Sequence, residues 1–362
     1  MYYYRLAEIV MQSSIQLKSF AHFSCNPMAA DITIERTNEY PPAGVENKSG
    51  SIMHRKIAGE WFFHPYWTDS YGLYTDHKYQ HLRLYGIKDT VASEEAELLI
   101  RVAVECNLAY RGYLTLHSAA VETNREAFAF TGPSGMGKST RAAAWIRTGH
   151  AKLINGDRPL INVNSLELYG VPWDGKEQCF RNVRFPLKAI CEVRRSESVY
   201  VRAMNFAQRR KLLTRQCFLP MWDTDTAAVQ MANITRLATR ANIVRIFSGP
   251  ETESVMAVYN AIQTQQIIEE EPDLKAKQGF VLRNVVDEFI LMPTGDNIGK
   301  FNGTVLLNEV SAFVWEKLQN PLSKDDLLKA ILDEFEVDKA TASADLDALL
   351  ETLRGYGVIE DD

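Results

Sequence analysis

The alternation of apolar and polar positions divides the chain into three blocks. In the first block, residues 1–110, apolar and polar residues alternate in stretches such as residues 32–36, and residues 61–67 are rich in aromatics. A period of two is typical of strands, so this block predicts a mostly β domain with its aromatics packed in the core. Near its end, Ser93 precedes acidic and then apolar residues, which predicts a capped helix.

The second block, residues 111–268, centres on a glycine-rich loop. An apolar run at residues 127–131 suits a buried strand before the loop, and residues 141–146 after it are good helix formers. A closing helix is expected at residues 251–266, directly after Pro250. The order of elements around the loop is β-β-loop-α-β-β, which predicts an α/β core.

The third block, residues 276–362, follows an acidic, proline-broken linker at residues 269–275. Two short strands are expected at residues 280–283 and 289–292. Three helices follow, and their predicted N-caps are Asn308, Ser323 and Thr341. An antiparallel ribbon followed by three short helices predicts a winged-helix-like α+β module.

Composition narrows the class of protein. With 46% hydrophobic residues, 24% charged residues and a net charge of −6, the chain is expected to be a soluble, cytoplasmic protein that binds neither nucleic acid nor membrane. Its five cysteines include no C-x-x-C pair, so reduced thiols are expected. The basic segment 181–215 is interpreted as a solvated face, with a surface for phosphate or an acidic substrate as the alternative.

The glycine-rich loop matches the pattern G-x-x-x-x-G-K-[ST] at every fixed position. The predicted nucleotide-binding residues are Gly132, Pro133, Ser134, Gly135, Met136, Gly137, Lys138, Ser139 and Thr140. Glycines let backbone N–H groups approach phosphates, Lys138 is expected to reach the β- and γ-phosphates, and Ser139 is expected to bind Mg²⁺. Thr140 is expected to pack against or cap the helix. The expected nucleotide is ATP, with GTP or another triphosphate as the alternative. The sequence lacks the N-K-x-D motif typical of GTPases, which argues against a GTPase.

Two residues outside the loop are candidates for the chemistry. His117 lies on a strand expected to pair with the strand that enters the loop, and Asp157 follows a short apolar strand after it. An acid at such a position can bind Mg²⁺ or accept a hydroxyl proton. The alternatives are a core histidine at His117 and an ordinary strand-end cap at Asp157.

His117, the loop, Asp157 and the segment 169–176 together resemble the HPr kinase family. The resemblance covers the second block and implies a phosphate-loop sheet akin to phosphoenolpyruvate carboxykinase, in an enzyme that phosphorylates a serine hydroxyl on a protein or precursor peptide. It implies catalytic roles for Asp157, Lys138 and His117, and metal binding by Ser139 and Asp157. The family has two consecutive aspartates where this chain has Gly156-Asp157, and Glu177 is the candidate additional metal ligand, with Asp174 as its rival.

The third block resembles the PqqD family of peptide-recognition domains. The resemblance rests on residues 305–311, at a strand-to-helix junction, and on residues 349–359, at the final helix and its exit. It implies that an extended leader peptide adds as a strand to an exposed ribbon edge and places apolar side chains in a groove beside a helix. A DNA-binding or dimerisation module is the alternative.

The sequence therefore predicts an ATP- and Mg²⁺-dependent kinase that phosphorylates a Ser or Thr hydroxyl on a ribosomally made precursor peptide. A small-molecule kinase is the second hypothesis, and a nucleotide-gated peptide chaperone is the third. The oligomeric state is left open, with a homo-oligomer among the alternatives.

Overall fold

The computed structural model describes residues 1–133, 135–173, 179, 181–194, 196, 198–249, 252–268, 274–285, 288–298 and 304–361. The chain separates into two compact units, Met1–Glu269 and Glu270–Asp362. The first two sequence blocks thus fall within one unit. Residues 269–273 of the expected linker lie outside the described residues, whereas Leu274 and Lys275 lie in a strand of the second unit. None of the helices in the described ranges is long and apolar enough to cross a membrane.

The first block forms an eight-stranded sheet with the order β1-β2-β3-β8-β7-β6-β5-β4. Helix α1 (Glu94–Ala109) packs against this sheet, and the Ser93 hydroxyl accepts a hydrogen bond from the Ala96 N–H, so the predicted cap is confirmed. A single 3-10 turn covers Ala21–Phe23. The strands are β1 (Tyr2–Leu6), β2 (Ile9–Ser13), β3 (Ile32–Thr37), β4 (Asn47–Ser49), β5 (Ile52–Ile57), β6 (Glu60–Pro65), β7 (Gly72–Thr75) and β8 (His81–Tyr85).

The aromatic segment of β6 is buried on both faces of the sheet. Trp61 and Phe63 join the main core of the block, whereas Phe62 packs with Tyr74 and Tyr85 on the other side. The expectation of a β core is correct for these residues. It is wrong for Tyr66 and Trp67, which are 52% and 53% exposed because they lie in the turn beyond the strand.

The second block forms a nine-stranded sheet with the path β12-β10-β11-β15-β14-β13-β9, and β17 pairs with both β15 and β16. Helices α2 (Lys138–Arg147), α3 (Phe206–Gln216), α4 (Thr224–Arg240) and α5 (Thr252–Thr264) accompany it; Pro250 and Glu251, at the expected start of α5, lie outside the described residues. The strands are β9 (Tyr113–Thr115), β10 (Ser118–Thr123), β11 (Glu126–Thr131), β12 (Ala151–Asn155), β13 (Leu160–Asn162), β14 (Glu167–Tyr169), β15 (Arg184–Arg194), β16 (Tyr200–Ala203) and β17 (Ile243–Phe247).

Strand β11 shows why this sheet carries helices on both faces. Its side chains alternate between two cores, with Phe128 and Phe130 packed towards α2 and α5, and Ala127 and Ala129 packed towards α3 and α4. The sequence of a strand that is buried on both faces is a nearly continuous apolar run. The large residues of β11 therefore face α2, whose Trp145 they contact.

The second unit contains a three-stranded sheet, β19-β20-β21, and a two-stranded sheet, β18-β22. A 3-10 turn lies at Gly295–Asn297, and Trp315 and Leu353 are buried in the core. The elements are β18 (Leu274–Ala276), β19 (Phe280–Val285), β20 (Glu288–Pro293), β21 (Val305–Leu307), α6 (Glu309–Lys317), α7 (Lys324–Glu334), α8 (Lys339–Gly355) and β22 (Ile359–Asp361).

Two of the three predicted caps in this unit are confirmed. The Asn308 and Ser323 side chains accept hydrogen bonds from the N–H groups of Ser311 and Asp326. The third prediction, Thr341, is wrong because α8 begins earlier, where the Asp338 carboxylate accepts from the Ala340 and Thr341 N–H groups. A carboxylate at a helix N-terminus also interacts favourably with the helix dipole.

Replacement of Phe128 by Ala is expected to lower the free energy of unfolding of the first unit by about 3–5 kcal/mol. The Phe128 ring is fully buried and lies 4.7 Å from the Trp145 ring and 5.9 Å from the Tyr259 ring, centroid to centroid, so truncation leaves a cavity. Urea unfolding measures the change. The control Val45→Ala, at a residue that is 88% exposed, should change stability by less than about 0.5 kcal/mol. Equal effects of the two substitutions would contradict this account of the core.

Candidate functional site

The phosphate-loop sequence joins the end of β11 to the start of α2. Gly132, Gly135 and Gly137 have φ values of 140°, 81° and 90°, which L-residues with a side chain rarely adopt. Gly137 is the N-cap of α2, so Lys138 is the first residue of the helix. The loop thus brings backbone N–H groups and a helix N-terminus to one place, as anion binding requires. Ser134 lies outside the described residues.

The Lys138 ammonium group folds back over the loop. Its Nζ donates hydrogen bonds to the carbonyl oxygens of Gly132, at 2.9 Å, and Pro133, at 3.3 Å. Burial lowers the pKa of Lys138, and the negative charge of Asp157 opposes the shift. The amine therefore lies at the mouth of the loop, where a bound phosphate can replace the carbonyl groups as its partner.

His117 is held beside the end of β11 by its backbone. Its N–H donates to the Gln216 carbonyl at 2.8 Å, and its carbonyl accepts from the Thr131 hydroxyl at 2.9 Å. The imidazole remains 35% exposed. The backbone is thus fixed while the ring stays accessible to a ligand.

Asp157 is placed by a tight turn after β12. The Asn155 side-chain oxygen accepts from the N–H groups of Asp157, at 3.1 Å, and Arg158, at 2.7 Å. The Asp157 carbonyl accepts from the Ser118 N–H at 2.8 Å, directly beside His117. Such an Asx turn fixes the direction in which the Asp157 carboxylate leaves the backbone.

The structure brings together the predicted residues Asp157, His117 and Lys138. The His117 Nδ1 lies 3.0 Å from the Asp157 Oδ1, and the Arg158 Nε lies 3.8 Å from the Asp157 Oδ2. Interaction with His117 lowers the pKa of Asp157; the charges of Arg158 and Arg101 add to the shift, and burial opposes it. A carboxylate with a depressed pKa is a good ligand for a hard cation and a weak proton acceptor.

Sequence reasoning did not identify Arg101 and Arg158 as site residues. Arg101 comes from α1, and its guanidinium lies 5.5 Å from the ring centroid of Trp173. The Trp173 carbonyl accepts from the Asn155 amide, which links this contact to the turn that holds Asp157. Arg158 could have been noticed because it follows Asp157, but the sequence carries no signal that connects Arg101 to a turn more than fifty residues later.

The donor groups suit a magnesium–triphosphate complex. Ser139 and Thr140 are exposed in the first turn of α2, and Asp157 supplies an anionic carboxylate. Within the described ranges, no three His, Cys, Asp or Glu side chains form a metal-binding cluster. Mg²⁺ commonly uses one or two protein carboxylates together with substrate phosphates, so this sparse set is compatible with it. Glu177 and Asp174, the candidates for an additional ligand, lie outside the described residues.

Part of the basic segment 181–215 is neutralised by nearby carboxylates. Three of its cations are paired with neighbouring carboxylates: Arg184 with Glu167, Lys188 with Glu126, and Arg194 with Glu192. The three cations lie along β15, a strand of 11 residues. Local neutralisation reduces the field that this segment can offer to an anion.

The second unit has an open strand edge next to a groove. Within the described residues, β21 pairs with β20 on one side only, and Leu306 is 64% exposed. A groove of about 620 Å³ begins directly after β21, at Asn308, Val310 and Ser311. Its other walls are the end of α7 and one face of α8. An unpaired edge beside an apolar groove is the geometry that binds an extended peptide by strand addition.

Residues 288–359 match the family described as Coenzyme PQQ synthesis protein D (PqqD). The C-terminal block is PqqD-like. This confirms the predicted resemblance over the strands and helices that line the groove. No curated protein matches the chain significantly.

Two solved structures are similar to the PqqD-like module. One is described as TbiB1 in complex with the TbiA(beta) leader peptide; it is 23% identical, with a TM-score of 0.21, over 24% of this chain and 94% of that chain. The other is described as lasso peptide synthetase B1 complexed with the leader peptide; it is 19% identical, with a TM-score of 0.21, over 24% of this chain and 98% of that chain.

The substitution His117→Ala is expected to raise the pKa of Asp157 towards that of an ordinary aspartate. Because the pKa is depressed in the folded protein, the contact stabilises the fold above about pH 4, and this stabilisation is lost as the pH falls through the folded-state pKa. Carboxyl ¹³C NMR of Asp-labelled protein measures the titration, and Asp157→Asn assigns the resonance.

Asp338 provides an internal control for this titration. Its pKa is also lowered, by hydrogen bonding to Thr341 in the second unit, and it should not respond to His117→Ala. An unchanged titration of Asp157 in the variant would contradict the assigned cause of its pKa shift.

Proposed function

We propose that the chain is an ATP- and Mg²⁺-dependent kinase that phosphorylates a Ser or Thr hydroxyl on a ribosomally made precursor peptide, whose leader is bound by the PqqD-like module. The observation that carries the kinase proposal is the convergence of Lys138, Asp157 and His117 at the end of β11. The family match of residues 288–359 supports the peptide as substrate.

Each residue of the site has a role that its environment supports. Bound MgATP would supply the γ-phosphoryl group: the acceptor oxygen would form a bond to the γ-phosphorus as its bond to the bridging oxygen breaks, ADP would leave, and the hydroxyl proton would pass to the Asp157 carboxylate. Lys138 leaves the loop carbonyls and binds the β- and γ-phosphates, which the loop N–H groups and the start of α2 also contact. Ser139 and Asp157 supply the oxygen ligands for Mg²⁺.

Asp157 and His117 together orient the acceptor hydroxyl. The depressed pKa makes Asp157 a weak base, but alignment matters more than base strength in the loose transition state of phosphoryl transfer. The His117 Nδ1 lies 3.0 Å from the Asp157 carboxylate and holds it in place, and the partly exposed ring is available to the incoming hydroxyl or the phosphate. Arg101 and Arg158 add positive charge where negative charge accumulates during transfer.

The PqqD-like module explains how a weakly binding core peptide can be phosphorylated. A leader paired with the edge of β21 that is open among the described residues keeps the rest of the peptide attached to the enzyme. A flexible connection of this kind gives an effective concentration on the order of millimolar, so the kinase site needs little affinity of its own for the core.

Replacement of Lys138 by Ala is expected to reduce phosphoryl transfer by about 10²–10³-fold, because one group that stabilises charge in the transition state is lost. Transfer from γ-³²P-ATP is measured to precursor peptides encoded beside the gene and to a panel of small hydroxylated metabolites. Lys152→Ala, at an exposed lysine on β12, is the matched control and should retain activity.

The acceptor that becomes labelled separates the proposal from its alternatives. Label on a peptide, lost in Lys138→Ala, supports the peptide kinase. Label on metabolites alone would favour a small-molecule kinase. Nucleotide binding with no acceptor labelled would contradict a kinase and favour a nucleotide-gated chaperone.

A further inference from the structure

The two units carry opposite net charges. Residues 270–362 contain nine Lys and Arg and twenty Asp and Glu, a formal net charge of −11, whereas residues 1–269 have a net charge of +5. The overall charge of −6 hides this asymmetry. A module with so strong a negative field attracts cationic partners and repels anionic ones before any contact is made.

The groove of the PqqD-like module has an apolar floor. Ile331, Ala342 and Leu346 are buried at its base, and the partly buried Phe335 and Leu349 flank them. The volume of about 620 Å³ is enough for several side chains of a bound peptide. Burial of a peptide's apolar side chains in this groove therefore favours binding.

Two carboxylates stand at the rim of this floor. Glu336, in the connection from α7 to α8, and Asp345, on α8, both line the groove and are exposed. Among the described residues of this unit, neither has a cationic partner within ion-pair distance, and no Lys, Arg or His lines the groove. By contrast, Asp347 on α8 points to a different partner and pairs with Lys324.

We infer that the leader bound in this groove is a basic segment, in which a Lys or Arg pairs with Glu336 or Asp345 while neighbouring apolar side chains fill the floor. This inference rests on the proposed function and specifies its substrate. The methylene stems of Lys and Arg lie readily along apolar surface with the charge in water, which matches carboxylates at the rim of an apolar floor. An acidic residue of the peptide at the same place would be repelled by both Glu336 and Asp345.

The exposed position of Glu336 and Asp345 at the rim also predicts how their charges affect peptide binding. Exposed pairs contribute little to affinity individually, but complementary charge raises the association rate and selects among partners. Binding is therefore expected to weaken with increasing salt, because interactions over more than about 8 Å are screened at physiological ionic strength.

The test uses a displayed library of random 12-residue peptides selected on the full-length protein at low salt. The wild-type protein should enrich peptides that combine Lys or Arg with apolar residues. The double variant Glu336→Gln/Asp345→Asn should lose at least about tenfold of this basic enrichment while it retains the apolar preference.

A second double variant controls for net charge. Asp333→Asn/Glu351→Gln removes two exposed carboxylates of the same module, on α7 and α8, that do not line the groove. It should keep the basic enrichment. Equal loss in both double variants would show that the general field, rather than the groove, selects the peptide, and would overturn the inference.

The outcomes also distinguish this inference from the proposed function. If the wild-type protein enriches apolar peptides without basic residues, leader binding stands and the basic leader is wrong. If the enriched peptides bind a Leu306→Asp variant and a variant with the groove flank changed by Leu349→Asp as tightly as they bind the wild-type protein, the edge and groove do not bind peptides, and the proposed mode of leader recognition fails as well.

Discussion

The position of β10 between β11 and β12 is the constraint on which the candidate kinase site depends. Strand β10 runs antiparallel to both neighbours, with Ser118 opposite Thr131 and Ala120 opposite Asn155. The residue that precedes β10, the loop that follows β11 and the turn that follows β12 must therefore emerge at one edge of the sheet. His117, Lys138 and Asp157 are distant in sequence and meet because of this pairing. The hydrogen bonds from Thr131 to His117 and from Ser118 to Asp157 then fix the edge.

Local features were the ones that the sequence predicted well. The caps at Ser93, Asn308 and Ser323 depend on residues within one helical turn, and the glycines of the phosphate loop are required by backbone conformation alone. Thr341 was misassigned because α8 begins one turn earlier, where the Asp338 carboxylate accepts hydrogen bonds from the Ala340 and Thr341 N–H groups. Arg101 could not be found in this way, since its place near Asp157 depends on how α1 packs over Trp173. Contacts of this kind follow from tertiary packing and leave no periodic or motif signal.

The two units carry opposite net charges, and in the proposed kinase this difference separates two tasks. A basic leader would be attracted to the acidic PqqD-like module, whereas Arg101 and Arg158, beside Asp157, would favour a bound phosphate. The same leader would have less affinity for the positively charged first unit, so that leader binding would not compete with nucleotide binding. Specificity would then reside in the leader, and the proposed kinase site could accept the core sequence because tethering keeps it nearby.

The most direct test of this account compares a full-length precursor peptide with the same core lacking its leader, using intact-mass spectrometry to follow phosphorylation over time. The account predicts addition of a single phosphoryl group to a Ser or Thr of the core, with kcat/KM about 10²-fold lower for the leaderless peptide and a similar rate at saturating core. Equal kcat/KM for the two peptides would contradict tethering by the PqqD-like module, and an unchanged mass for both would contradict the kinase itself.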